Sequence, residues 1–227
     1  MLRDGRCECL DVPALAEPLV QHATQCVRHH VPGRLVLGFA RAPTAPDVHR
    51  RPPTLPDADG LADTEEALRG RLAAAGFGHY EVSNHALPDR ECRHNRNYWE
   101  FGDYLGLGAG AHGKLTTAGG ILRTRNYAGP EAYLERAGQG EATAERRWLE
   151  EADAVAEFAL NAFRLNRAVP TALFTTRTGL PASTLATPRQ KAEEAGLLEP
   201  ASGSELAPTP RGRAFLNDLV GLFLEPS

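Results

Sequence analysis

The chain has 227 residues, with 25 Lys and Arg against 29 Asp and Glu and a formal net charge of −4. That length suffices for one large core or two small ones, and the charge balance excludes a polybasic protein drawn to nucleic acid or an anionic membrane by its overall field. Hydrophobic residues at 42% and charged residues at 24% exclude global disorder. No apolar run approaches the ~18 residues of a spanning helix, so no transmembrane segment is expected. Residues 1–5 lack the apolar region of a secretion signal, and four cysteines (Cys7, Cys9, Cys26 and Cys92) are too sparse for a disulfide scaffold. The expected compartment is the cytoplasm.

Residues 1–49 form an atypical segment: three of the four Cys, no sustained periodicity, and breaks at Pro13, Pro18, Pro32, Pro43 and Pro46. At most short helices are expected over 14–30, with one apolar strand over 35–39. Beyond Arg51-Pro52-Pro53, Asp59 or Asp63 can cap a helix with the apolar stripe Leu61, Leu68, Leu72 and Ala75, stopped by Gly76. Tyr80-Glu81-Val82-Ser83 then reads as a strand, completing half of an α/β unit. A second strand is expected at Tyr104-Leu105-Gly106-Leu107. A hairpin follows, over 114–117 and 121–127, with its turn at Gly119-Gly120. A short helix over 131–138 leads to a polar linker, 139–144.

The remainder, 145–227, begins with apolar residues at helical spacing from Leu149 to Phe163. A second helix is expected over 187–195, then two short strands, 197–199 and 206–209, around Ser202-Gly203-Ser204, and a last helix over 214–224. Helix, helix, wing and helix give a winged-helix-like pattern. Its nine Arg and Lys against eleven Asp and Glu lack the footprint of phosphate binding, which points away from nucleic acid. An accessory domain packed on the α/β part, or a small interaction module, fits better.

Three constellations carry chemistry. Gly108-x-Gly110-x-x-Gly113 matches a dinucleotide fingerprint literally, but a β-like segment follows where a helix is needed. What survives is a backbone loop of little bulk that can lie against a flat ligand, or a tight turn with no ligand. Cys92-Arg93-His94-Asn95-Arg96-Asn97-Tyr98-Trp99 places an imidazole able to ligate haem iron beside aromatics able to face a macrocycle. The alternatives are half of a zinc site, or hydrogen bonding and core packing alone. Cys7-x-Cys9, Cys26 and His29-His30 have the composition of a metal site without a standard spacing. Glu81 and Ser83, two apart on one strand, could point into a barrel mouth.

Tyr80-Glu81-Val82-Ser83-Asn84-His85-Ala86, Glu91 through Trp99, and Gly102-Asp103-Tyr104 through His112-Gly113 together resemble the HemW-like haem chaperones and oxygen-independent coproporphyrinogen III oxidases of the radical S-adenosylmethionine (SAM) family. The resemblance runs from about Arg50 to the C-terminus. It implies an α/β fold: the C-terminal part of a TIM-like radical SAM barrel over 50–144, then a mainly helical, winged-helix-like domain over 145–227. It implies haem as ligand, through His94, Asn95, Tyr98 and Trp99, with His94 as the metal ligand, and haem-accepting respiratory proteins as partners. The Gly-rich segment resembles the loop that approaches S-adenosylmethionine, which makes Gly108, Gly110, Ala111 and His112 cofactor contacts.

Members of that family also hold a [4Fe-4S] cluster on a C-x-x-x-C-x-x-C loop, and that loop does not occur in this sequence. The chain therefore reads as a truncated haem-binding or haem-trafficking protein, redox-incompetent alone, from a longer native product. The alternatives are a coproporphyrinogen III oxidase-type enzyme whose cluster half is missing, and a non-catalytic interaction module.

Overall fold

Asp57, rather than Asp59 or Asp63, starts the first helix. In a computed structural model that describes residues 34–36, 57–200 and 204–224, its carboxylate accepts from the Gly60 N–H at 2.8 Å and caps helix α1 (Ala58–Ala74). Asp59 lies in the first turn, where its charge complements the helix terminus. Gly76 ends the helix with φ +84, a conformation open to glycine at little cost. Of the expected apolar stripe, Leu72 is buried while Leu61 is exposed. The helices expected over 14–30, and the part of the first expected strand beyond Val36, lie outside the described residues.

The chain divides into two units. Within the first, strand β1 (Arg34–Val36) pairs antiparallel with β3 (Asn84–Ala86), with Leu35 opposite His85. Strand β2 (Gly78–Glu81) begins in this unit and ends in the second. The single strand expected over 80–83 is thus corrected. Val82 and Ser83 form a turn between β2 and β3, so Glu81 and Ser83 do not share a strand face.

In the second unit, Tyr80–Val82 pairs with a segment near Arg164: the Val82 N–H donates to the Arg164 carbonyl, and Glu81 bridges Leu165. Helix α2 (Arg93–Trp99) follows Cys92. The hairpin is present as β4 (His112–Thr117) and β5 (Gly120–Asn126), turning at Gly120 with φ +118. Helix α3 (Pro130–Gly138) leads to β6 (Thr143–Trp148), which completes an antiparallel sheet in the order β4-β5-β6. Sequence reading made Thr143 and Ala144 linker. Glu145, Arg146 and Arg147 give β6 no apolar alternation because the strand is an exposed edge of its sheet.

Residues 104–107 are not a strand. Only Tyr104 pairs, with Lys114, and Leu105 and Leu107 stand 71% and 85% exposed. Gly106 runs so close to the chain that a Cβ there would lie 2.6 Å from the His112 carbonyl oxygen.

Helix α4 (Glu151–Ala162) carries the core of this unit, burying Val155, Phe158, Ala159 and Ala162. Phe101, Phe158 and Phe174 meet edge to face at 5.9 and 5.1 Å, joining the loop after α2 to α4 and α5 (Thr171–Thr178). The sequence gives no sign of α5, whose four Thr are poor helix formers. A 3₁₀ turn (Ala182–Leu185) precedes α6 (Ala186–Glu194). Residues 197–199 and 207–209 pair as expected, through Glu199 N–H to Ala207 O and Thr209 N–H to Leu197 O. In addition β7 (Val169–Pro170) pairs with β8 (Glu205–Leu206). The last expected helix is α8 (Leu216–Leu224), and a separate short helix, α7 (Pro210–Ala214), precedes it across a break at Phe215. Among the described residues no helix is long and apolar enough to cross a membrane.

Candidate functional site

Helix α2 has under two turns, so its orientation comes from what its side chains touch rather than from helix propensity. Asn95 donates to the Tyr80 hydroxyl at 3.4 Å, and the Cys92 N–H reaches the same oxygen. Burial raises the pKa of that phenol above its ordinary value. Asn97 donates to the Asp103 carbonyl at 2.9 Å, and Gly102 packs so tightly beneath it that a Cβ would lie 2.1 Å from Asn97 Oδ1. Trp99 lies under the Arg164 guanidinium at 4.4 Å, and Arg164 in turn approaches the buried Glu81 carboxylate at 3.9 Å. Tyr98 packs on Tyr104 with ring centroids 4.2 Å apart.

His94 is the exposed member of this set. Its ring meets Tyr98 edge-on at 4.7 Å and otherwise faces solvent. The helix therefore holds Asn95, Tyr98 and Trp99 in place and leaves an imidazole outward. An imidazole so placed can ligate a metal carried by a flat ligand.

The Gly-rich loop forms a second group. As expected, the chain leaves Gly113 as strand β4 and not as a helix. Asn126 binds the loop from within, donating to the Gly106 and Gly108 carbonyls, and its N–H donates to the Ala111 carbonyl. The Gly108 N–H donates to the Tyr133 hydroxyl, and the Gly110 N–H to Tyr127 O. Gly106 and Gly113 are needed for close backbone crossing, whereas at Gly108 (φ +103) a Cβ would meet nothing within 4 Å. His112 is exposed at the head of β4. The two groups join through Tyr98 against Tyr104 and the Tyr104–Lys114 bridge.

Between them lies a network absent from the sequence reading. Lys114 is buried, and its ammonium donates to Phe101 O, Asp103 Oδ1 and Thr116 Oγ1 at 3.0, 3.0 and 3.1 Å. Arg123 donates to the Tyr104 hydroxyl at 2.6 Å and faces Glu157 at 3.4 Å. The one available signal was that a chain with 25 cations keeps lysine at only two positions, 114 and 191. A compact ammonium on a flexible stem fits a three-acceptor pocket better than a planar guanidinium does.

Residues 149–215 match the HemN C-terminal domain family. The haem chaperone HemW of Escherichia coli (strain K12) is 42% identical over 176 residues, covering 77% of this chain and 45% of that protein. The HemW of Haemophilus influenzae is 41% identical over 176 residues, with 77% and 44% covered. The chain is a homologue of HemW. It spans less than half the length of these HemW proteins. HemW of Mycobacterium tuberculosis (strain ATCC 25618 / H37Rv) reaches 48% identity over 80 residues, covering 35% of this chain and 20% of that HemW. Among solved structures, coproporphyrinogen III oxidase (HemN) from E. coli, described as a radical SAM enzyme, superposes with a TM-score of 0.59 at 18% identity, over 85% of this chain and 48% of its own. The described part of the chain therefore has a mixed α/β fold like that of HemN.

A [4Fe-4S] cluster does not fit the described residues. Cys92 is the single cysteine among them, and no group of three His, Cys, Asp or Glu is placed there to hold a metal.

Proposed function

We propose that the chain is a haem-binding part of a HemW-type haem-trafficking protein, with His94 as a ligand to haem iron. The observation that carries this reading is the division of labour on α2: Asn95, Tyr98 and Trp99 are held by Tyr80, Tyr104 and Arg164, while His94 stays exposed beside the Tyr98 ring. The identity to haem chaperones supports it. In this reading residues 50–144 belong to a TIM-like radical SAM barrel and 145–227 to a winged-helix-like accessory domain, with 1–49 an atypical segment of which β1 pairs with β3. Gly108, Gly110, Ala111 and His112 line the face that S-adenosylmethionine approaches in the longer protein, and the open side of Gly108 suits a flat ligand. Haem then passes to a haem-accepting respiratory protein in the cytoplasm, and nucleic acid has no part.

A haem titration of the purified chain tests the ligand. The wild-type chain is expected to give a Soret band that shifts and saturates at one equivalent, and His94→Ala to lose the shift. An unchanged spectrum in His94→Ala would remove His94 from the ligand set.

The second reading, a coproporphyrinogen III oxidase-type enzyme, draws on the fold shared with E. coli HemN. It predicts that a cluster-bearing longer product consumes coproporphyrinogen III, whereas the chaperone reading predicts haem binding without turnover.

A further inference from the structure

Beside Tyr98 opens a cleft of about 240 Å³, lined by Tyr98, Tyr104 and Arg123 together with Glu157, Leu160 and Asn161 of α4. Pockets that enclose a whole drug-sized ligand run from about 300 Å³ upward. A macrocycle does not fit inside this cleft, but a side arm does. The cleft starts next to the candidate haem ligand, since the same Tyr98 ring contacts His94 at 4.7 Å and Tyr104 at 4.2 Å.

The chemistry of the polar wall selects the arm. Lys114 lines the cleft, but its three N–H bonds are taken by Phe101, Asp103 and Thr116. Arg123 is different. Its Nη1 donates to the Tyr104 hydroxyl and its Nε faces Glu157 at 3.4 Å, while Nη2 makes no hydrogen bond among the described residues. Because the Tyr104 oxygen accepts from Arg123, its own proton is left for another acceptor. A guanidinium and a phenol 2.6 Å apart, both with donors to spare, match a carboxylate. Glu157 sits in the same wall as a built-in competitor, and it is also 3.7 Å from Arg147.

We propose that Arg123 and Tyr104 bind a carboxylate arm of the porphyrin whose iron faces His94. This inference rests on the haem reading above, and it assigns orientation of the macrocycle to the β5 side of the cleft.

The test compares haem with haem dimethyl ester, in which both carboxylates are blocked, on the full chain and on Arg123→Met and Glu157→Gln, each checked by its thermal melt. The wild-type chain is expected to bind haem about tenfold more tightly than the ester, the scale of one charge-assisted hydrogen bond. Arg123→Met should erase that preference while leaving ester affinity unchanged, and Glu157→Gln should enlarge it by freeing the guanidinium. Equal wild-type affinity for haem and ester overturns the inference and leaves the haem reading standing. The wild-type comparison needs no variant, so a misfolded Arg123→Met cannot hide that result. Binding of neither compound overturns both.

Discussion

The Lys114 ammonium lies 3.0 Å from Asp103 Oδ1, yet the two stand on opposite sides of the solvent boundary: the Lys114 side chain is 1% exposed and that of Asp103 41%. The buried ammonium also lies 4.1 Å from the centroid of the Phe101 ring. Burial lowers the pKa of the ammonium below the usual lysine value, against the pull of Asp103. Burial raises that of the carboxyl, but the Thr116 N–H, Lys114 and the Thr116 hydroxyl together hold Asp103 below the ordinary 3.8. The pair ties the loop after α2 to strand β4 and so fixes the floor of the cleft.

Removing the exposed partner should therefore cost more than removing the buried one. Asp103→Ala strands a buried ammonium and the Thr116 N–H, and is expected to cost about 2 kcal/mol after allowance for the carboxylate's exposure. Lys114→Met leaves a hydrated carboxylate and one carbonyl without its donor, costing about 1 kcal/mol. Urea unfolding midpoints give the order directly. The Asp103 contribution is complete above the ordinary carboxyl pKa and disappears as pH falls through its lower folded value, so the gap between wild type and Asp103→Ala should close in strong acid.

His85 gives a second pH dependence, in the first unit. Its ring is buried, stacks on His79 at 4.4 Å, and has both nitrogens without hydrogen-bond partners among the described residues. Burial, with the nearby His79 and Arg69, lowers its pKa from 6.5 to about 4. The unfolded chain binds the proton first as pH falls, so stability should drop between about pH 6.5 and 4, by about 3 kcal/mol at most. His85→Phe should flatten that slope. An NMR titration placing His85 at its ordinary value would remove the cause.

Two glycines separate close approach from mere composition. A Cβ on Gly212 would lie 1.9 Å from the Leu197 carbonyl oxygen and 2.9 Å from its carbonyl carbon, both backbone atoms. Gly212→Ala is expected to cost about 3 kcal/mol by forcing α7 away from residues 197–198. Gly221, inside α8, has nothing within 4 Å of its Cβ position. Gly221→Ala should raise stability by up to about 1 kcal/mol, since helix interiors favour alanine. Thermal melts of the two variants should move in opposite directions.

Leu105 and Leu107 are exposed on the Gly-rich loop. Replacing both by serine is expected to change stability by no more than about 0.5 kcal/mol, because little packing is lost. The same change removes exposed apolar surface and should reduce light scattering at high concentration.

Sequence alone determined those parts of the protein whose information is local. Asp57 through Gly76 carry cap, helix formers and stop within one stretch, and the hairpin turn at Gly119-Gly120 and the period of α4 are equally self-contained. The helix cap is Asp57 rather than Asp59 or Asp63, since several acids compete for one N-terminus. The kinship with HemW was also legible, because Glu91 through Trp99 and Gly102 through Gly113 keep residue types in fixed order.

Only the tertiary structure decided what depends on partners far apart in the chain. The charged residues of β6 form a strand because β5 offers its edge, and Leu105 and Leu107 fail to form one because the backbone around Gly106 crosses His112. Lys114 is buried because Phe101, Asp103 and Thr116 supply three acceptors to one ammonium. His94 stands exposed while Tyr80, Tyr104 and Arg164 hold Asn95, Tyr98 and Trp99 of its helix. Long-range desolvation and hydrogen bonding set these outcomes, and no window of neighbouring residues contains them.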